Sequence, residues 1–167
     1  MGEIIKDFFL EFIGEELCVF FCSMLPVIEL RGAIPMAFAM GLPWWQAYLI
    51  SAVGNILPVP FILLLINAVI KWMSASNVGF FNKIADFLLK RVEKKRDKIE
   101  KYSFWGLCLF IAVPLPVTGA WTGSLVAAVI GMKPWKAFLS AILGVLIAGG
   151  LVTLIVYGGI GFLQWLI

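Results

Sequence analysis

The chain has 167 residues, 62% of them hydrophobic, and a mean hydropathy of +1.03, more apolar surface than a soluble domain of this size can bury. It reads as an integral membrane protein. Thirteen basic and ten acidic residues leave a net charge of only +3, and histidine is absent. That excludes histidine triads, histidine metal sites and the usual neutral-pH proton shuttle, and no nucleic-acid partner is expected.

Residues 3–16 place apolar side chains at 4, 5, 8, 9, 12 and 13, with Glu3, Asp7, Glu11 and Glu15 on the other face. This pattern predicts an amphipathic helix on a membrane surface. The segment lacks the basic start and the small-residue cleavage site of a signal peptide, so the chain is expected to be mature.

Residues 17–41 form an apolar segment interrupted at its centre by Pro26, Glu29, Arg31, Gly32 and Pro35. The apolar flanks, at 1.5 Å per residue, reach roughly half of a ~30 Å hydrocarbon core. Proline removes a helical donor and glycine permits a turn. The segment therefore predicts a re-entrant hairpin, broken at Pro26, Gly32 and Pro35. Residues 45–72 are long enough to span the membrane, and they contain Asn55, Pro58 and Pro60. The prolines deny the carbonyls of Gly54 and Ile56 their helical donors. Those carbonyls and Asn55 either face a cavity or mark a packed kink.

Residues 73–103 are a linker with a basic amphipathic helix over 80–101, suited to anchoring on anionic lipids. Residues 104–131 form a second interrupted segment, holding Pro114, Pro116, Thr118, Gly119, Thr122, Gly123 and Ser124 at its centre. Residues 135–160 are a second full span, with Gly144, Ala148, Gly149 and Gly150 as a small-residue packing surface.

The second half repeats the first. Residues 17–72 laid on 107–162 match at fourteen of 56 positions, among them Cys18/Cys108, Pro26/Pro116, Gly41/Gly131, Trp45/Trp135 and Gly54/Gly144. With one full crossing per copy, the copies are antiparallel. The fold class is thus an all-α membrane protein with an inverted-topology repeat: repeat 1 over 1–72 and repeat 2 over 104–167, joined by the linker, in one membrane domain. Eleven of the thirteen basic residues then fall on one face, in Lys71–Lys101 and at Lys133 and Lys136. The positive-inside rule makes that face cytoplasmic and puts both termini outside a cell membrane. The alternative is four plain spans with kinked helices at 17–41 and 104–131.

Glu29 and Arg31 are the sharpest chemical signal, the charges inside the apolar segments. Ionisable groups at membrane depth are costly and usually line a path or cavity. A desolvated carboxylate can carry a proton, and guanidinium offers a fork to phosphate or carboxylate. The pair serves either transport or an internal ion pair. In the second hairpin, the hydroxyls and amides of Thr118, Gly119, Thr122, Gly123 and Ser124 suit an anion at a helix N-terminus. Equally, Thr122 or Ser124 caps that helix. Trp121 contacts substrate or packs. Cys18, Cys22 and Cys108 read as small buried hydrophobes, and no metal, cofactor or disulfide is expected.

Pro-x-x-Glu-x-Arg-Gly-x-Ile-Pro, from Pro26 to Pro35, resembles the first signature of the small multidrug export proteins. Pro-x-Pro-x-Thr-Gly-Ala-Trp-Thr-Gly, from Pro114 to Gly123, resembles their second. That family is similar to the DedA/VTT superfamily. The resemblance implies two inverted repeats of re-entrant hairpin plus span, transport driven by the proton motive force, and movement of lipids such as undecaprenyl phosphate. It matches Glu29 to the acidic residue of the first hairpin. The superfamily's second-hairpin arginine is replaced here by the region of Thr118, Gly119 and Trp121.

The leading expectation is a small proton-coupled transporter or lipid translocase. An amphipathic, anionic, lipid-phosphate-like substrate sits between the hairpins. The alternatives are a four-helix efflux protein for hydrophobic cations and a non-transporting scaffold or assembly protein. No nucleophile–base pair is visible, so no enzyme is expected. Membrane lipids, the substrate and a second copy in a homodimer or larger assembly are the expected partners.

Overall fold

The computed structural model describes residues 14–75, 96–113 and 118–159, without the side chains of 67, 70–75 and 96–102. Every regular element among them is helical. In chain order these are α1 (Glu15–Met24), α2 (Glu29–Ala39), α3 (Trp44–Ile56), α4 (Pro58–Ala75), α5 (Arg96–Ala112), α6 (Ala120–Val129) and α7 (Pro134–Thr153). A π-helical turn, Leu154–Gly158, follows α7.

Among the described residues, two helical stretches are long and apolar enough to cross a membrane, Trp44–Ile66 with 23 residues and Pro134–Gly158 with 25. The first joins α3 to α4, because Leu57 keeps helical angles of −56° and −42° and its N–H bonds to Val53 O at 3.0 Å. At 1.5 Å per residue both exceed a ~30 Å hydrocarbon core. The helices α1, α2 and α6 have 10 or 11 residues and reach only half as far.

The chain divides into two compact units, residues 1–57 with 145–167 and residues 58–144. In the first, α1, α2 and α3 pack on one another and α2 touches the π-helical turn. Its core is Val19, Ala33, Ala37, Leu42 and Ala47, with Met36, Met40, Ile50 and Tyr157 against it. Small residues set the approach: a Cβ on Gly54 would come within 2.6 Å of Phe20 O on α1. In the second unit, α6 packs on α4 and α5. A Cβ on Gly144 would lie 2.9 Å from Cys108 O and 2.7 Å from Ile111 Cβ. Ser140 fixes the same packing, donating its hydroxyl to Phe104 O at 2.6 Å.

Local geometry recurs at the 90-residue spacing of the sequence matches. α2 closes with Gly41 N–H to Phe38 O and Leu42 N–H to Ala37 O, both 3.0 Å. α6 closes with Gly131 N–H to Ala128 O at 3.1 Å and Met132 N–H to Ala127 O at 2.9 Å. Gly41 and Gly131 have φ of 82° and 72°, the left-handed cap that glycine adopts without a Cβ penalty. Cys18, Cys22 and Cys108 are buried free thiols.

Three expectations are corrected. Gly32 and Pro35 do not break the first hairpin; both lie inside α2, and the break falls at 25–28 around Pro26. The residues beside them on α2, Ala33, Ile34 and Ala37, are fully buried, and this packing holds a helix that proline alone would weaken. The linker and the second hairpin do not part at residue 103, because α5 runs unbroken from Arg96 to Ala112. Glu15 and Glu16 open α1 instead of ending a surface helix. There their charge suits a helix N-terminus. The rest of the surface helix over 3–16, most of the basic helix over 80–101, Pro114, Pro116 and both chain termini lie outside the described residues.

Candidate functional site

The first hairpin turns through four residues. Leu25 leaves the helical region with ψ 134°, and its N–H bonds to Cys22 O at 3.2 Å. The Ile28 and Glu29 N–H groups both return to Leu25 O, at 3.2 and 2.9 Å. Glu29 then opens α2 with φ 50°, a left-handed conformation seen at no other non-glycine residue described. For a side chain without glycine's freedom this costs on the order of 1–2 kcal/mol. Such strain persists only where surrounding structure fixes it, often at functional positions. The tight turn brings Ile28 against Gly32, whose Cβ would meet Ile28 Cγ2 at 2.6 Å.

Glu29 is 7% exposed and Arg31 is partly buried. The two lie two residues apart at the head of α2, so an acid and a base share one partly enclosed place. The turn before them is apolar and less enclosed: Leu25 is 46% and Val27 93% exposed.

Asn55 lies on α3, which packs against α2. Its side chain is 1% exposed, and neither Oδ1 nor Nδ2 has a hydrogen-bond partner among the described residues. Ser51, one turn earlier on the same face, is fully buried with its hydroxyl also unpartnered. An unpaired buried amide or hydroxyl costs about 1–3 kcal/mol. The first unit thus holds buried Glu29 on α2 and buried Ser51 and Asn55 on α3, with Arg31 partly buried, in an otherwise apolar packing.

The second hairpin turns its polar groups on itself. Thr118 donates to Val113 O at 2.9 Å, bridging the break after α5. Thr122 Oγ1 accepts the Gly119 N–H at 2.9 Å, an N-terminal cap for α6. Ser124 donates to Ala120 O at 2.6 Å, back onto its own helix. Gly123 allows close packing, since a Cβ there would sit 2.6 Å from Ile111 Cγ1. Trp121 is partly buried. Of the readings open for this hairpin, capping accounts for Thr122, and Ser124 is bonded within the helix.

The structure groups Glu29, Arg31 and Asn55 in the first unit and Thr118, Gly119, Trp121, Thr122, Gly123 and Ser124 in the second. Sequence reasoning missed Ser51, although its spacing from Asn55 puts the two on one helical face. It also missed Tyr48, Thr153 and Tyr157, which carry no charge and sit in the two apolar segments read as full spans.

A family model described as "Putative small multi-drug export protein" matches residues 29–151, most of the chain. The match begins at Glu29 and includes Arg31, Asn55 and the whole of α6. Neither the comparison with curated proteins nor that with solved structures gives a match.

Proposed function

The chain belongs to the small multi-drug export protein family, and on that premise we propose that it is a proton-coupled transporter of an amphipathic, anionic, lipid-phosphate-like substrate. Family and spans together make it a membrane protein of an export family. The observation that carries the finer reading is Glu29, buried and left-handed at the head of a half-length helix, with Arg31 two residues further on.

A carboxylate in that setting changes charge when it takes up a proton. Charged, it holds Arg31; neutral, it releases the guanidinium to an anionic head group, for which the planar fork is suited. Proton and substrate then bias the same two-state element, because each binds the two states differently. The unpartnered amide of Asn55 offers a donor and an acceptor on the packed neighbour helix.

The inverted repeat and the re-entrant hairpins belong to this proposal. The recurrence of the helix closures at Gly41 and Gly131 supports the first, and the 10- and 11-residue helices support the second. So does a homodimer or larger assembly, since the irregular backbone of a turn at membrane depth needs protein around it. The cytoplasmic placement of the basic linker follows the positive-inside rule.

The test is transport by the full chain in proteoliposomes, with a fluorescent lipid phosphate as probe and an imposed pH gradient. Wild type moves the probe at a rate set by the gradient, and Glu29→Gln loses that dependence. If Glu29→Gln keeps both rate and pH dependence, the coupling role is wrong. Arg31→Lys keeps charge but loses the fork, so discrimination for the phosphate head group falls.

A further inference from the structure

The first unit holds a cavity of about 410 Å³ whose lining does not include Glu29. Trp44 and Tyr48 of α3 form one side. Gly150, Thr153 and Tyr157, with the π-helical turn, form the other. The volume lies within the roughly 300–1,000 Å³ range of small-molecule sites.

Three features make this more than a lipid-filled crevice. The first is that both tyrosines are fixed. Tyr48 donates to Leu146 O at 3.2 Å and Tyr157 to Leu42 O at 2.8 Å. Phe38 meets Tyr157 edge to face at 4.9 Å, and the Gly149 backbone lies against the Tyr48 ring. Two rings held this way lose little freedom when a third packs on them. The second is Thr153: it lines the cavity, is 8% exposed, and its Oγ1 has no hydrogen-bond partner among the described residues. A buried hydroxyl left unpaired is unfavourable, and a ligand with one hydrogen-bonding group removes that penalty. The third is open space made by glycine. A Cβ on Gly150 or Gly158 meets nothing within 4 Å among the described residues, and Leu154–Gly158 is wound as a π-helix, an irregularity frequent at functional sites.

We propose that this cavity binds a flat aromatic amphiphile, its ring system packed among Trp44, Tyr48 and Tyr157 and its one hydrogen-bonding group on Thr153. The described lining residues carry no charge, so the site selects by ring shape and apolarity. An acyl chain would leave Thr153 unpaired and gain nothing from the three rings. The assignment goes beyond the transport reading, asking only for binding, and it stands or falls independently of Glu29.

The experiment is photolabelling of the full chain in phosphatidylcholine nanodiscs, with a diazirine-bearing naphthol as probe and mass spectrometry to locate the adducts. The naphthol labels residues 44–48 and 150–158 and saturates. Gly150→Leu and Gly158→Leu each fill the space and lower saturable labelling at least fivefold, while Gly106→Leu, at an open glycine elsewhere, leaves it unchanged. Thr153→Val weakens half-saturation about two- to tenfold, the loss of one hydrogen bond. Circular dichroism and gel filtration show which variants fold; Thr153→Val keeps the test open if a leucine variant does not. Labelling that does not saturate overturns the proposal, as does labelling untouched in every folded cavity variant. Equal labelling of the same residues by a phosphatidylcholine with a diazirine in its acyl chain also overturns it, because the space is then ordinary lipid.

Discussion

Tyr157 donates its hydroxyl to the carbonyl of Leu42 at 2.8 Å, and its ring meets Phe38 at 89°. Through this one side chain the π-helical turn after α7 is fastened to the C-terminal end of α2, the helix that Glu29 opens. Tyr157→Phe removes the hydrogen bond and keeps the ring. It is expected to lower stability by about 1 kcal/mol. Tyr157→Ala removes the packing as well and should lower it by about 3 kcal/mol or more. Thermal unfolding of the purified chain in detergent checks the order.

Glu29 allows strain and charge to be separated. Glu29→Gln keeps the left-handed backbone and loses the charge, whereas Glu29→Gly loses both the charge and the conformational penalty. Glu29→Val puts a β-branched residue at φ 50°, where it fits worst. Val is expected to unfold more easily than Gln by about 1–2 kcal/mol. Equal stability of Val and Gln in a thermal melt would show that the backbone there is not strained.

Asn55 gives a prediction with an unusual sign. Its amide is buried with no partner among the described residues, so replacing it by leucine removes an unsatisfied group while keeping the number and branching of the side-chain heavy atoms. Asn55→Leu should raise stability by about 1–3 kcal/mol. In the same proteoliposome assay it should lose transport. A variant that is both more stable and fully active would remove Asn55 from the site.

Two glycines should behave alike although they are far apart in sequence. Gly54→Ala and Gly144→Ala each drive a methyl onto a backbone carbonyl, at 2.6 Å from Phe20 O and 2.9 Å from Cys108 O. Each should cost about 1–3 kcal/mol. Gly106→Ala, with nothing within 4 Å of its Cβ, serves as the control and should not fall. Denaturation midpoints of the three variants decide it.

The parts of the fold legible in the sequence are those fixed by residues with few alternatives. Gly41 and Gly131 marked the ends of the half-helices because the left-handed closure favours glycine. Gly54 and Gly144 lay in register because two helices approach closely there. Pro35 misled for a physical reason: proline weakens a helix locally, but the buried neighbours Ala33, Ile34 and Ala37 keep it wound. Glu29 and Arg31 stood out because charge is rare in apolar runs. Ser51, Thr153 and the tyrosines around the cavity did not, because hydroxyls and rings are common in membrane helices. Only three-dimensional packing shows which of them lack a partner. The π-helical turn has no marker in composition or spacing.

The closures at Gly41 and Gly131 leave four residues between each half-helix and the long helix after it, 40–43 and 130–133. Each has two backbone hydrogen bonds across the helix end and a further one into the next helix, Ala47 N–H to Pro43 O and Ala137 N–H to Lys133 O. These bonds stiffen each joint, so α2 is expected to move with α3, and α6 with the first turns of α7. Bending is expected at Leu57 instead, since prolines at 58 and 60 thin the ladder of hydrogen bonds there. Spin labels on either side of Gly41 should then hold one distance throughout the working cycle, while labels flanking Leu57 report two.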